Sequence, residues 1–248
     1  MSTITTTPSS NSATTLVPDE ERGVLRDVSW EFYDRLSDAV GEQSHIRMAY
    51  DGKDLEIMTL GPKHEQSKGL LGSFIEAVAE GLEVDFRPAG STTWKRAAKR
   101  RGVESDQCYY FHRTKLEASD AAASRDSNDV ADYPDPDLAA EIDISPSKID
   151  RPKIYAVLKV SEIWRFKEGA ISIERLGPNG VYREVTESGF LHVRADEVTR
   201  WLADGKSGSR LAWKRRLRDW IQAELRPRVV AKAPRRRSPR RPAGGNEA

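Results

Sequence analysis

Near the middle of the chain stands the stretch DLAAEID at residues 137–143, which mixes carboxylates with small and apolar side chains. Side chains of a β-strand alternate between two faces, so an extended conformation places Asp137, Glu141 and Asp143 on one face. The stretch ESD at residues 104–106 precedes it by about thirty residues and adds two more carboxylates. Both stretches border apolar residues, which predicts two strands that lie side by side in a sheet.

Carboxylates gathered on one face repel each other unless a positive charge neutralises them. A hard divalent cation such as Mg²⁺ prefers oxygen ligands and is the usual partner of such a group. Short motifs also match by chance, so the same spacing is compatible with two solvated strand faces that never meet. The residues alone therefore leave two interpretations open, a metal site and two independent strands.

Composition excludes several classes of protein. The 248 residues suffice for one domain with tails, and 38% of them are hydrophobic, which supports a packed core. No apolar run is long enough to span a bilayer, and we recognise no secretory signal. Cys108 is the single cysteine, so no internal disulfide can form, as is usual in a reducing cytoplasm. We therefore expect a cytoplasmic protein without membrane association.

The net charge of +1 conceals an uneven distribution. The last 23 residues, from Arg226 onward, carry eight Lys or Arg and one acid, whereas the other 225 carry 32 bases and 38 acids. This pattern indicates a mildly acidic body with a basic arm. Within the arm, Arg236 and Arg237 are expected to bind nucleic acid non-specifically by counterion release. Such arms can equally be passive segments that keep a protein in solution.

Composition also suggests how the chain is divided. Residues 1 to 24 are rich in Ser and Thr, and residues 226–248 are rich in Arg, Pro and Gly, so disorder is expected in both. Residues 25–204 carry helix and strand patterns and are expected to form the domain. Residues 205–225 have the pattern of a C-terminal helix.

Within the domain, helix patterns occur between and after strand patterns. Asp51-Gly52 between two strand-like runs predicts a β-hairpin. A helix is expected from Lys63 to Leu82, because Pro62 suits a helix start and apolar residues follow with helical period. Small and polar residues at 118–133 indicate a loop. The mixed order predicts an α/β or α+β fold around one central sheet.

Several motifs follow one another in a specific order between residues 26 and 204: YDGKDLEIM at 50–58, PKHE at 62–65, GSTTW at 90–94, GVESDQCYY at 102–110, PDLAAEID at 136–143, IYA at 154–156 and VSEIWRF at 160–166. This ordered set resembles the Uma2 family, also called DUF820, whose members are described as restriction endonucleases. The resemblance implies the PD-(D/E)XK nuclease fold, a restriction-endonuclease-like central mixed sheet flanked by helices.

The resemblance also implies a chemistry, the hydrolysis of DNA phosphodiester bonds with Mg²⁺ or Mn²⁺. In that picture Asp106, Asp137 and Glu141 match the family's acids, and they are the expected metal ligands and catalytic residues. Glu104 lies nearby, and Ser105 replaces the proline that is usual in the family.

One feature of the resembled fold is missing, namely the lysine two residues after the glutamate. Asp143 occupies that position. The resemblance suggests that a basic residue from the following helix takes its place. Lys153 is the predicted catalytic residue, and Lys148 and Arg151 are alternatives.

Further side chains are candidates for a role in binding. The basic cluster that includes Lys95, Arg96, Arg100 and Arg101 is expected to contact DNA phosphates, although such a run can also be a solvated face. His64, at the start of the long helix, is compatible with a place beside the metal or with a plain structural role. Trp213 and Trp220 lie seven positions apart on the last helix, a spacing that suits burial of one face or, alternatively, a homodimer surface.

Three classes of function therefore compete. The first is a Mg²⁺-dependent DNA endonuclease, favoured by the retained acids. The second is a catalytically inactive nucleic-acid-binding module that keeps the nuclease fold, favoured by the missing lysine. The third is a protein-interaction module that uses the hairpins and the final helix.

Overall fold

The computed structural model describes residues 20–41 and 45–232. Strands and helices are interspersed along this part of the chain and confirm the mixed α/β class. They are β1 (Glu20–Leu25), α1 (Trp30–Val40), β2 (Ile46–Tyr50), β3 (Leu55–Leu60), α2 (Pro62–Leu82), β4 (Arg87–Pro88), β5 (Thr93–Arg96), β6 (Arg101–Glu104), β7 (Gln107–Tyr110), α3 (Arg113–Ser124), β8 (Leu138–Asp143), α4 (Arg151–Leu158), β9 (Glu162–Lys167), β10 (Ala170–Leu176), β11 (Tyr182–Val185), α5 (Ala195–Gly205), α6 (Arg210–Trp220) and α7 (Arg226–Lys232).

Two sheets form instead of the single sheet that the sequence predicted. The first has the strand order β1-β3-β2-β6-β5 and is antiparallel throughout. It contains the predicted hairpin, in which β2 and β3 flank the turn at Asp51-Gly52. Helix α1 packs on it, and the rings of Tyr33 and Tyr50 stack with centroids 5.0 Å apart.

The second sheet has the strand order β11-β10-β9-β8-β7-β4. Only β8 and β9 pair in parallel among its described strands, because helix α4 connects them and returns the chain to the same end of the sheet. Side chains of β8 alternate accordingly. Leu138, Ala140 and Ile142 face the α2 side, whereas Ala139 belongs to the cluster on the α4 side.

Helix α2 crosses one face of the second sheet and supports the main core. It begins at Pro62, one residue before the predicted start at Lys63, and its inner face buries Leu70, Phe74 and Ile75. The C-terminal helices pack against the same core, and Trp213 and Trp220 are buried within it. The two tryptophans therefore form no dimer surface. None of the helices that the structure describes is long and apolar enough to cross a membrane.

Three expectations about order and loops were wrong. Strand β1 starts at Glu20, so the segment predicted to be disordered up to residue 24 includes most of a strand. Helix α3 occupies part of the predicted loop at 118–133, because the small side chains of Ser119 and Ala122 pack closely and are buried. Helix α7 extends through residues 226–232, where disorder was also predicted. Residues 1–19 and 233–248 lie outside the described residues.

Ion pairs account for the first and third of these differences. Arg22 of β1 is buried among carboxylates, and α7 is attached to the domain through Arg226 with Glu83 and Arg228 with Glu197. Polar composition predicts disorder because it predicts little burial. Charged side chains can nevertheless be buried in an ordered segment when they pair with opposite charges from other parts of the fold.

Candidate active site

Asp106 and Glu141, one from each acidic stretch of the sequence, lie close together at the junction of the two sheets. Asp106 follows β6 of the first sheet and directly precedes β7 of the second. Gln107 of β7 pairs with Ala140 of β8, so this antiparallel register brings Asp106 alongside Glu141. The short connection between the sheets therefore positions the first acid beside the second.

Asp106 is buried and surrounded by polar groups. Its Oδ2 accepts a hydrogen bond from the Ile142 amide at 2.7 Å and lies 3.1 Å from His64 Nε2. Burial raises the pKa of Asp106, but the hydrogen bond and the charge of His64 outweigh this effect and hold the pKa below its usual range. Its Oδ1 is also buried and has no hydrogen-bond partner among the described residues.

Glu141 is buried on the α4 side of β8. Arg151 Nη2 lies 2.6 Å from its Oε2, and the Tyr155 hydroxyl donates a hydrogen bond to its Oε1. Burial raises the pKa of Glu141 to about 8, although the Arg151 charge opposes the shift; nearby Asp106 adds to it. Burial therefore favours the neutral acid at this position, whereas the ion pair with Arg151 favours the carboxylate.

Asp143, where the resembled fold has lysine, is surrounded by arginines. Arg22 Nη2 lies 3.0 Å from its Oδ1, Arg151 Nη1 lies 3.5 Å from the same atom, and Arg165 Nη2 lies 3.3 Å from Oδ2. The side chain of Asp143 is only 2% exposed, so these contacts compensate a charge that is removed from water.

Of the three basic residues considered for the missing lysine, Arg151 is the one that reaches the carboxylates. Lys153, the predicted catalytic residue, has a side chain that is 81% exposed and pairs with Asp150 at 2.8 Å. Lys148 Nζ instead donates to the Arg22 carbonyl at 2.6 Å. The structure therefore separates Lys153 from the candidate site and places Arg151 in it.

Asp137 is also separated from the candidate site. It precedes Glu141 by four residues, a distance of roughly 13 Å along an extended strand. Its Oδ2 accepts hydrogen bonds from the Phe111 and His112 amides, both at 2.8 Å, and Lys115 Nζ lies 2.8 Å from its Oδ1. These contacts give Asp137 a structural role, in which it fastens the start of α3 to the beginning of β8.

The basic side chains that were predicted to bind phosphates form contacts within the domain instead. Lys95 pairs with Asp34 and Asp38, Arg96 pairs with Asp135 at 2.8 Å, and Arg100 lies 3.6 Å from Glu31. Arg101 Nη1 donates to the Arg100 carbonyl at 2.9 Å. These contacts favour the structural interpretation of the cluster. The other predicted contacts, Arg236 and Arg237, lie outside the described residues.

Sequence reasoning missed Tyr155 and Arg22 as residues of the site and gave His64 no definite role. Tyr155 and Arg151 are four residues apart, which places both on one face of a helix, so their spacing was a usable signal. Arg22 lies in a segment predicted to be disordered, and no local pattern connects it to Asp143. Its contacts depend on the way β1 joins the first sheet.

The oxygen donors at the junction fit a hard divalent cation. Asp106 and Glu141 supply two carboxylates, and the buried Asp106 Oδ1 has no hydrogen-bond partner among the described residues. Mg²⁺ keeps several water ligands and takes one or two carboxylates, so two suffice. Within residues 20–41 and 45–232, no group of three or more His, Cys, Asp or Glu side chains is placed to hold a metal ion.

The fold and site define a mixed α/β protein with two buried acids at the junction of its sheets. The model of the Uma2 family, described as putative restriction endonucleases, matches residues 30–200, and the chain belongs to this family. Among solved structures, the chain is similar to a putative nuclease belonging to DUF820 from Anabaena variabilis. That similarity has 15% sequence identity and a TM-score of 0.48, and covers 71% of this chain and 99% of the other. No curated protein matches the chain.

Proposed function

We propose that this protein is an endonuclease that hydrolyses DNA phosphodiester bonds with a divalent metal ion held by Asp106 and Glu141. The observation that carries the proposal is the pairing of β7 with β8, which brings the two buried carboxylates together. Membership of a family described as putative restriction endonucleases supports the class of reaction.

Mg²⁺ or Mn²⁺ is the proposed cofactor, with Asp106 and Glu141 as its protein ligands. When bound, such an ion lowers the pKa of a coordinated water and neutralises charge on the phosphate. The environment of Glu141 suits this role, because an added positive charge would favour the ionised form that burial disfavours.

The neighbouring side chains orient the two acids. His64 Nε2 and the Ile142 amide fix Asp106 Oδ2, which leaves Oδ1 as the oxygen that is open to a ligand. The Tyr155 hydroxyl fixes Glu141 Oε1 in the same way. Arg151 is the proposed substitute for the missing lysine, because a guanidinium group at this position can donate hydrogen bonds to phosphate oxygens.

A second candidate function is a nucleic-acid-binding module that keeps the fold without catalysis. The contacts of Arg151 favour it, since the guanidinium group already compensates Glu141 and Asp143 and occupies the neighbourhood that a metal ion would share. The two functions make different predictions about cleavage.

Cleavage of supercoiled plasmid DNA in Mg²⁺ or Mn²⁺ distinguishes them. We expect wild-type protein to nick the plasmid, and Asp106→Asn and Glu141→Gln to lower the rate by at least about a hundredfold, because each loses a charged metal ligand. Lys153→Ala is the matched control and should retain the wild-type rate. Equal rates in wild type and both acid variants would contradict the proposal. DNA binding by a wild-type protein that never cleaves would support the inactive module.

A further inference from the structure

A cleft of about 940 Å³ borders the candidate active site. The start of α2, the ends of β8 and β9, and the turn between α5 and α6 line it. Asp143 lies in its wall, two residues beyond Glu141 on β8, and Glu65 of α2 lies next to His64. The cleft therefore leads from the surface to the carboxylate cluster.

Lys206 in the α5–α6 turn and Arg210 at the start of α6 line the cleft, and neither has a carboxylate partner among the described residues. Lys206 Nζ lies 5.3 Å from the centroid of the Phe166 ring. The Arg210 guanidinium lies 4.7 Å from the centroid of the Trp213 ring and donates to the Gly69 carbonyl at 2.8 Å. Both side chains are exposed. Their positive charges are therefore available to an anionic ligand in the cleft.

The same excess of positive charge continues along α6. Arg210, Lys214 and Arg218 are spaced four residues apart and form a stripe about 12 Å long. Lys214, Arg215 and Arg218 are exposed and make no ion pair in the part of the chain that the structure describes. Asp219 is the single acidic residue of α6.

The opposite face of α6 explains why the stripe points outward. Trp213, Leu217 and Trp220 are buried against the main core and fix the rotation of the helix. Arg216 of α6 differs from the exposed residues of the stripe because it is paired with an acid, its Nη2 lying 2.6 Å from Asp204. Lys95, Arg96 and Arg100 differ from the α6 stripe, because each is already paired with an acid.

We infer that the α5–α6 turn and the outer face of α6 bind the phosphate backbone of double-stranded DNA and direct it toward the cleft. The inference rests on the proposed function, which identifies the polyanion as DNA. It assigns phosphate contacts to α6, whereas the sequence predicted them at residues 95–101. Uncompensated Lys and Arg side chains supply this kind of affinity by releasing counterions from DNA.

The test compares two triple variants with the same change of charge. Lys214→Gln/Arg215→Gln/Arg218→Gln, the α6 variant, removes three exposed and unpaired charges of α6. Lys95→Gln/Arg96→Gln/Arg100→Gln, the paired-cluster variant, removes three bases that are already paired with acids. Fluorescence anisotropy measures binding of the full chain to a labelled DNA duplex at several salt concentrations in EDTA, where cleavage cannot occur. Competition with duplex RNA in the same assay reports on the class of nucleic acid.

We expect the α6 variant to bind the duplex at least about tenfold more weakly than the wild type. The slope of log K against log salt concentration should decrease in magnitude by about 2 to 3, because three phosphate contacts are lost. Its melting temperature should stay that of the wild type, because the three side chains make no ion pair within the described structure. The paired-cluster variant should keep the wild-type slope.

Unchanged binding by the α6 variant, or an equal loss in both variants, would overturn the inference. Preferential competition by duplex RNA would overturn the assignment to DNA. Binding is measured without metal, so the outcome is independent of catalysis. Loss of binding in the α6 variant of a protein that never cleaves would support this surface while it contradicts the proposed enzyme.

Discussion

At the scale of the residue, the candidate site depends on arginines that compensate buried carboxylates. Asp143 replaces the expected lysine, and Arg22, Arg151 and Arg165 surround it. Arg151 also contacts Glu141, so this guanidinium group connects the position of the missing base with one of the proposed metal ligands.

Loss of Arg151 should therefore destabilise the protein. We expect Arg151→Ala to lower the free energy of unfolding by about 3–5 kcal/mol, because it leaves Glu141 and Asp143 buried with less compensation. Urea denaturation measures the change, and Lys153→Ala on the same helix is the control, expected within about 0.5 kcal/mol of wild type. Equal effects of the two substitutions would contradict the role assigned to Arg151.

The contact between His64 and Asp106 predicts a measurable titration. Burial lowers the pKa of His64, but the hydrogen bond and the charge of Asp106 outweigh it and raise the pKa above 6.5. The stabilisation from this pair is fully present below pH 6.5 and is lost as the pH rises through the raised pKa.

We expect Asp106→Asn to lower the pKa of His64, because burial then acts on the imidazolium without its partner carboxylate. NMR titration of the imidazole in metal-free protein measures the shift. Glu65→Gln is the control and should have a smaller effect, since Glu65 lies 3.5 Å from His64 Nδ1 and is half-exposed. An unchanged titration in Asp106→Asn would show that the contact does not set the protonation of His64.

The site was only partly predictable from the sequence, for physical reasons. Strand alternation correctly places side chains on a face, but it does not say which of them have neighbours. Asp106 and Glu141 meet because β7 and β8 pair, whereas Asp137 shares a face with Glu141 and lies far along the strand. Lys148, Arg151 and Lys153 were the candidates for the missing lysine, and the start of α4 determines which of them reaches the acids. Asp150 caps α4 and so fixes that start.

At the scale of the element, the close contact of α2 with the C-terminal helices organises the main core. Gly81 of α2 faces Ile221, and a Cβ atom added at residue 81 would lie 2.5 Å from Ile221 Cγ2. The glycine therefore permits the approach of two helices that bury Trp213 and Trp220. Sequence periodicity predicted α2 well, but it could not identify the partner of its last turn.

We expect Gly81→Ala to lower the free energy of unfolding by about 1–3 kcal/mol, because the added methyl group overlaps with Ile221. Gly69→Ala is the control on the same helix, since a Cβ atom there meets nothing within 4 Å, and a gain of about 0.5–1 kcal/mol is expected. Thermal and urea denaturation measure both. The double variant Gly81→Ala/Ile221→Ala should cost less than the sum of its single changes, and strict additivity would contradict the contact.

Short polar elements were harder to predict than α2. The small and polar residues at 118–133 predict a loop, yet α3 extends into this segment, and Asp137 fastens the two residues just before α3 through their backbone amides. Strand β1 was assigned to a disordered tail for a similar reason. In both cases the stabilising contact comes from a residue distant in sequence, so a local pattern could not contain it.

At the scale of the whole molecule, the two sheets are joined where the candidate site lies. The Glu104–Asp106 connection passes from β6 to β7, and Arg22 of β1 contacts Asp143 of β8 across the junction. The mixed α/β class was predicted from the order of elements, but the division into two sheets was not. Strand pairing over long sequence separations decides it, as in β2 with β6.

The proposed metal site at this junction leads to a direct measurement, calorimetric titration of Mn²⁺ into the wild-type chain and into Asp106→Asn/Glu141→Gln. Titrations with and without a short DNA duplex compare the free and DNA-bound protein. Asp137→Asn serves as the control, because the structure separates this acid from the other two. We expect wild type and the control to bind Mn²⁺ and the double variant to lose the binding heat. Equal binding by the double variant, or no binding by wild type in either condition, would contradict a metal site formed by Asp106 and Glu141.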